Sequence, residues 1–415
     1  MLVLLAVPML LSACGGGGAD RSGAIQRAQE PSTAAAAQIA ATAPSPIGTM
    51  ATLSDAVAPP RETPVPGKTI AVGADTEPTA DAGQAPASRR LSATQLKKYK
   101  PDELGVIPIL EYHQITVHPG NEAQFVRPIE KFKADLQWFY DHDFYIVSLH
   151  DIVTNRISAT VGKHPLALTF DDSTVGQFRF LIADDGSVTV DPRSAVGILE
   201  AFFAEHPDFG RGGFFAVLPV DNFCFSWQGE QTEPDQIPFC GRKITWLLDH
   251  GYEVGNHTLH HVDLKNVDDE TFRAEIGGAF EKQAERDPRA KPEIMAMPFG
   301  NYPDKAAHAQ QRQWLRDGFD FDGASYKIIA ALMVGSEPTV APDSIHWDPL
   351  FLSRIQAFDG SFAYWQPNFT SRPEALYTSD GNPDSITVPN ALPVDLVDTL
   401  DAAKVASDGK ELIRY

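Results

Sequence analysis

All 40 aromatic side chains of this 415-residue chain (24 Phe, 10 Tyr and 6 Trp) lie at or beyond Tyr99. A segment without large apolar side chains buries too little surface to offset the entropy of ordering. Residues 15–98 are rich in Ala, Pro, Gly, Ser and Thr, with Gly15 to Gly18, Ala34 to Ala37 and the Pro-rich stretch from Pro59 to Pro66. They are expected to form a disordered, semi-extended tether. The 315 residues from Pro101 to Tyr415 must then hold the core, enough for one barrel-sized domain.

Charge follows the same division. The formal net charge is −21. Residues 15–100 hold 9 basic and 7 acidic side chains, whereas residues 101–415 hold 25 and 48, a net −23. An acidic globular part argues against nucleic acid as partner and against electrostatic docking onto anionic lipid. It favours a neutral or cationic ligand. No run of 18 apolar residues offers an ordinary transmembrane helix.

The first residues, 1–14, form a unit of their own. Met1 to Leu11 is apolar, and Leu11-Ser12-Ala13-Cys14 follows. As a helix this run rises only about 20 Å, short of a bilayer core of about 30 Å. The pattern resembles the lipobox of bacterial lipoprotein signal peptides, in which the Cys is lipidated. The resemblance implies lipidation at Cys14, export, and a cell-envelope lipoprotein held to the membrane through its lipid alone. No Lys or Arg precedes the apolar run, as a signal peptide's n-region should have, which points to a start upstream. Export would place Cys224 and Cys240 in an oxidising compartment. A disulfide between them is expected, since closing a loop of this size contributes roughly 3 kcal/mol.

From residue 106 onward, short apolar runs alternate with amphipathic ones. Strands are expected at Val106 to Tyr112, Phe144 to Leu149, Leu166 to Phe170, Gly213 to Leu218, Tyr252 to Gly255, Glu293 to Met297 and Leu352 to Phe358. Ile129, Phe132, Leu136 and Phe139 fall on one helical face. Further helices are expected near Val196 to Phe203, from Ile244 to before Gly251, over 271–285, and from Lys305 to Arg316. Strand–helix–strand repetition means parallel pairing with right-handed crossovers. About seven units suit a distorted (β/α) barrel, with a doubly wound open sheet as the alternative. Either places functional groups at the carboxyl ends of strands. The main domain is bounded at 101–365, leaving 366–415 as a C-terminal extension of unassigned role.

Two constellations carry chemistry. Thr169-Phe170-Asp171-Asp172 ends a buried strand in two carboxylates, which cannot stay in a core unpaired. Gly255-Asn256-His257-Thr258-Leu259-His260-His261 follows another strand. On a helical turn His257 and His261, at i and i+4, share a face; His257 with His260 is the competing pair. Two imidazoles and one carboxylate make a facial set that leaves positions open for water and substrate.

ALTFDD and GNHTLHH resemble the first two motifs of the polysaccharide deacetylases, the NodB-homology carbohydrate esterases. The resemblance covers about residues 105–360. It implies Asp172, His257 and His261 as ligands of one divalent metal ion, zinc foremost with cobalt or nickel open, and Asp171 as the catalytic base. Met297-Pro298-Phe299-Gly300 resembles the third motif, which lines the substrate groove. It implies substrate contacts from Pro298, Phe299, Gly300 and Tyr302, with Trp227 and Trp365 as further aromatic candidates.

Four departures stand out. Ala296 occupies the place of an Arg that orients the base. Ser173 replaces a common Gly. The stretch from Asp172 to the next strand is long. No Leu-x-x-His follows Met297–Gly300, where the family places its acid histidine. Leu110-Glu111-Tyr112-His113 fits that pattern near the start of the domain, as if the fold were circularly permuted. His113 is thus the candidate general acid, and strand alternation sends Glu111 to its face. Arg354, in Ser353-Arg354-Ile355-Gln356-Ala357, is a candidate partner for the base. His118, His142, His150 and His164 lack motif support and are expected on the surface or in loops.

The implied activity is hydrolysis of N-acetyl groups from an extracytoplasmic amino-sugar polysaccharide or oligosaccharide by a monomer. The alternatives are a catalytically impaired glycan-binding lipoprotein, and an O-acetyl esterase or amidase on the same fold.

Overall fold

The structure is a computed structural model that describes residues 90–116, 124–229, 231–392, 396 and 399–415. The signal segment 1–14, the lipidation at Cys14 and most of the tether lie outside the described residues, as does His118. Regular structure is already present within the stretch expected to be disordered. Helix α1 (Ala93–Tyr99) starts at a capping box in which Ser92 accepts from the Gln95 amide and Gln95 accepts from the Ser92 amide. Residues 93–98 of the stretch assigned to a disordered tether are therefore helical.

Eight short strands build the central sheet: β1 (Ile109–Tyr112), β2 (Phe144–Ile146), β3 (His164–Phe170), β4 (Phe214–Val217), β5 (Glu253–Asn256), β6 (Ile294–Ala296), β7 (Ala330–Leu332) and β8 (Ile355–Gln356). The order is β7-β6-β5-β4-β3-β1-β8, with β2 also paired to β3. Every pairing is parallel. A parallel bridge between Leu332 and Leu352, just ahead of β8, draws the two edges together. The result is the distorted α/β barrel the strand–helix alternation implies.

Strands β1, β4, β6 and β7 are buried at every position, as parallel strands covered on both faces must be. The two faces differ in kind. Leu110, Tyr112, Leu168, Phe170, Phe215 and Val217 meet the outer helices α2 (Ile129–Asp141) and α3 (Ala195–Glu205) through Phe132, Leu136, Phe139 and Leu199. The alternate residues Ile109, Ala167, Phe214, Ala216, Ile294, Ala296, Ala330 and Leu332 form a second, inner cluster. Four of these eight are alanines, Ala167, Ala216, Ala296 and Ala330. Glu111 and Thr169 pair in register one step above Ile109 and Ala167, so period-2 alternation aims them into the barrel as well.

Helices α4 (Cys240–Asp249), α5 (Asp269–Arg286), α6 (Ala309–Asp317) and α7 (Asp359–Ser371) complete the outer layer. Asp268 caps α5 by accepting from the Thr271 amide, and Asp269 and Glu270 suit the positive end of its first turn. The long stretch after Asp172 is occupied by an antiparallel hairpin, 180–182 with 188–190, and by α3.

Three expectations need correction. The boundary at 365/366 falls inside α7, whose Phe362 and Phe369 both join the core. The extension 366–415 is also tied to the barrel's entry: Asp102 bridges Thr378, Val106 bridges Leu376, and the Glu103 amide donates to the Thr387 carbonyl. Strand β7 was not anticipated, because Ala330–Leu332 is only three residues long and lacks β-branched or aromatic side chains. His164 opens β3, where it is half-buried with Nδ1 2.9 Å from the Tyr377 carbonyl. Among the described residues no helix is long and apolar enough to cross a membrane.

Candidate active site

The residues singled out from the sequence gather at the carboxyl ends of β1, β3, β5 and β6. Two clusters lie side by side there. Asp172, His257 and His261 bring one ligand atom each within 4.8 Å of one another, and so do Glu111, His113 and Asp171.

Asp171 is buried at the end of β3. Arg354, fully buried just before β8, holds it by a two-pronged contact: Nη1 to Oδ1 at 2.8 Å and Nη2 to Oδ2 at 2.7 Å. The guanidinium is itself fixed, donating through Nε to the Met333 carbonyl and through Nη1 to the Thr169 hydroxyl. Burial alone would raise the Asp171 carboxyl, but the charge and hydrogen bonds of Arg354 keep it below the usual carboxylate range. Arg354 thus does from β8 what the side chain at position 296 does not: Ala296 lies in the inner layer of the barrel.

His113 sits 3.7 Å from Glu111 and 4.0 Å from Asp171, measured from Nε2. Gln177 donates from one amide nitrogen to the carbonyls of both His113 and Asp171, tying the ends of β1 and β3 together. Glu111 is fully buried, and neither of its oxygens has a hydrogen-bond partner among the described residues. Burial raises its carboxyl, against the opposing pull of Arg354. Phe125 meets the His113 ring edge-on at 4.7 Å. Gln177 and Phe125 carry no sequence signal, being single residues in loop-like surroundings.

Asp172 leaves the strand with φ 76°, and Ser173 follows with φ 45°. This left-handed pair turns the carboxylate toward the histidines, at a cost that Asp tolerates better than most residues. The Ser173 hydroxyl offsets its own strain: it accepts from the Leu218 amide and donates to the Phe223 carbonyl. A Gly at 173 would be freer but would leave those groups unmet. The Phe225 amide donates to the Ser173 carbonyl and the Trp227 indole to the Asp172 carbonyl. Both donors ride on the loop closed by the disulfide between Cys224 and Cys240, which is formed as expected.

The histidines do not lie on a helical turn. Residues 257–261 form an irregular loop with Thr258 at φ 65° and His261 at φ 57°. The two left-handed residues bring the rings of His257 and His261 to 4.8 Å. Asp172 Oδ1 is 3.1 Å from His257 Nε2 and 3.3 Å from His261 Nε2. His260, the competing partner, instead places Nδ1 2.9 Å from Glu275.

The donor set fits a divalent cation. His257 Nδ1 faces the Ala296 carbonyl at 2.9 Å, an acceptor that would hold the proton on Nδ1 and free Nε2, on the Asp172 side, to bind a cation. Burial pushes His261 down to about 4, leaving it neutral at neutral pH, as a ligand must be. Burial would lower His257 too, but its contact with Asp172 raises it. Burial would raise Asp172, but the three neighbouring histidines draw its carboxyl well below the ordinary range.

The third stretch forms a turn at 298–300 in which Phe299 takes φ 59° and stands 55% exposed, 4.6 Å from the His261 ring. Pro298 is buried, and Gly300 packs at φ 66° against Val334. Tyr302 packs against Phe351 at 4.3 Å with the rings tilted, under the Arg312 guanidinium and with its hydroxyl buried. That placement is packing, so Phe299 is the exposed aromatic of this stretch. Trp365 is engaged through its indole with the Ser336 carbonyl.

An α/β barrel whose strand ends gather a fork-held carboxylate, a facing imidazole and an Asp–His–His set has the parts of a hydrolase. Residues 233–316, which carry the histidine loop and the Met297–Gly300 turn, match the family model described as polysaccharide deacetylase. That stretch, a fifth of the chain, is thus similar to the polysaccharide deacetylases. No curated protein matches the chain. Among solved structures it is similar to the deacetylase PplD of Streptococcus pyogenes in complex with acetate, at 19% identity over 61% of this chain and 93% of that one, with a TM-score of 0.44. It is also similar to the putative polysaccharide deacetylase BA0330 of Bacillus anthracis, at 17% over 63% and 68%, TM-score 0.43. IcaB of Ammonifex degensii gives 16% over 63% and 96%, TM-score 0.43.

Proposed function

We propose that this chain removes N-acetyl groups from an amino-sugar polysaccharide with the help of one divalent cation, for which zinc, cobalt or nickel suit the donors. The observation that carries the reading is the adjacency of two sets: Asp172, His257 and His261 on one side, Asp171 with its Arg354 fork and His113 on the other.

A cation held by Asp172, His257 and His261 would supply a polarised acetyl carbonyl and a water of lowered pKa. Asp171, kept ionised by Arg354, accepts the proton of the attacking water. His113, across from Asp171, gives a proton to the leaving amine nitrogen. Phe299, beside His261, offers an exposed ring to the sugar. Acetate and a free amino sugar result. Two of the four departures, Ala296 and the missing late Leu-x-x-His, have local replacements, since Arg354 serves Asp171 and His113 comes from the end of β1.

The proposed setting is the cell envelope, reached by export and kept by a lipid on Cys14. The Cys224–Cys240 disulfide supports an oxidising compartment. Acyl mass on Cys14 in a membrane fraction is expected, and an unmodified Cys14 there would refute the anchor.

The test of the activity is acetate release from a panel of N-acetylated and O-acetylated glycans, with and without chelator. Release from N-acetylated glycans that chelator abolishes and added metal restores is expected. Release confined to O-acetyl esters, or indifferent to chelator, would overturn the reading.

A further inference from the structure

We propose that Glu275, on the second turn of α5, is the positioning residue that sets the metal affinity of the histidine loop. The inference rests on the metal-site reading above.

The loop from His257 to His261 lacks the backbone hydrogen bonds of a helical turn, and two of its residues are left-handed. Its amides are met by side chains instead. The Thr258 amide donates to Asn256 Oδ1 at 2.8 Å and the Val262 amide to the Thr258 hydroxyl at 3.3 Å. The next two amides in the chain, Leu259 and His260, both donate to Glu275 Oε2, at 3.1 and 2.9 Å. The other oxygen of Glu275 meets His260 Nδ1 at 2.9 Å. Successive amides converging on one point form a nest for an anion. Here the protein fills the nest with its own buried carboxylate, through charge-assisted bonds stronger than neutral ones.

Glu275 is itself registered on the strand that carries the site. Asn256 Nδ2 donates to the Ile276 carbonyl and Gln283 Nε2 to the Gly255 carbonyl, locking α5 to the end of β5. Leu259 comes within 3.1 Å of where a Cβ on Gly278 would stand, an approach that a larger residue would obstruct. The helix therefore dictates where Leu259 and His260 sit, and the two ligands flanking them, His257 and His261, inherit their separation. Glu275 touches neither ligand ring in this arrangement. It acts through the loop backbone.

The experiment titrates full-length chain stripped of metal with Co(II), read by ligand-field absorption. In parallel it measures the metal concentration that half-saturates acetate release. Glu275→Gln can accept through only one oxygen and presents a donor to His260. It is expected to weaken cobalt binding roughly 10- to 100-fold and shift half-saturation upward to match, with acetate release recovering once metal is saturating. Asp268→Ala, which removes the cap of the same helix without touching the loop, should lower the thermal midpoint and leave metal affinity unchanged. His260→Ala, which removes one of the three bonds to Glu275, should give a smaller loss of affinity and serves if Glu275→Gln does not fold. Unchanged affinity in Glu275→Gln or His260→Ala, or an equal loss in Asp268→Ala, would overturn the proposal. Wild-type chain that binds no cobalt would instead refute the metal site itself, and this inference with it.

Discussion

Arg354 meets Asp171 with both prongs of its guanidinium, at 2.8 and 2.7 Å, and both partners are fully buried. The pair joins β8 to the end of β3 and leaves Asp171 a single orientation. Lysine at 354 would keep the charge but lose the fork, since an ammonium is a point charge with no planar geometry. Arg354→Lys should therefore lower kcat for acetate release by roughly 100-fold, within the range a positioned base contributes. Metal affinity should hold, because Arg354 touches none of the proposed ligands. Arg354→Ala should also destabilise the fold by about 3–5 kcal/mol, because it leaves the buried carboxylates of Asp171 and Glu111 without their cation. Steady-state kinetics and denaturant unfolding separate the two effects. Arg354→Lys with wild-type kcat would exclude this role.

His113 is assigned the proton given to the leaving amine, and the assignment depends on the leaving group. An amine cannot depart unprotonated, whereas an activated phenolate can. His113→Ala should lose on the order of 100- to 10,000-fold on an N-acetylated oligosaccharide while keeping most of its rate on an aryl acetate. Equal losses on both substrates would show that His113 serves binding or packing instead, for instance through its edge contact with Phe125.

The fold was legible wherever periodicity was strong. Phe132, Leu136 and Phe139 mark α2, and Leu166 to Phe170 mark β3, because parallel strands buried on both faces read as apolar runs. The site was legible where chemistry is spelled in adjacent residues, at Asp171-Asp172 and at His257 to His261. The conformation of the latter was not. Spacing at i and i+4 implies a helical turn, but left-handed Thr258 and His261 achieve the convergence, imposed by Glu275 from a helix that starts later in the chain. Gln177 and Glu275 were invisible for the same reason: each acts on the backbone of distant residues, a contact that leaves no periodic trace. Arg354 could be suspected only because Ala296 left a vacancy. The placement of residues 366–415 depends on pairings with Asp102 and Val106, more than 260 positions away, which no local pattern reports.

The disulfide supports the site as well as the fold. Cys224 and Cys240 are buried and 16 residues apart, and their loop presents the Phe225 amide and the Trp227 indole to Ser173 and Asp172. Replacing both cysteines by serine should cost roughly 3 kcal/mol of stability through the freed loop. It should also weaken metal binding, since two of the contacts holding the left-handed turn at Asp172 become mobile. Denaturant midpoints and cobalt titrations of the double variant measure the two consequences. Lost stability with unchanged metal affinity would confine the bridge to a structural role.

Lys243 gives this fold a pH dependence that can be separated from catalysis. Its ammonium is fully buried on α4, donating to the Phe225 carbonyl at 2.7 Å and to Gln236 Oε1 at 3.0 Å, both neutral acceptors. Burial pushes it down to about 7 from an ordinary 10.5. Between those values the unfolded chain holds a proton at Lys243 that the folded chain has released, so stability rises with pH across this window. Below about pH 7 both states are protonated and the full cost of burying the charge is present. Lys243→Met removes the titrating group. The stability difference, wild type minus variant, should therefore climb by a few kcal/mol, to order of magnitude, between pH 7 and 10. Urea unfolding of the two proteins at matched pH values measures this difference. A flat difference across the window would mean that Lys243 keeps its ordinary affinity for the proton, with Glu233 and Asp235, which draw it upward, compensating for the burial.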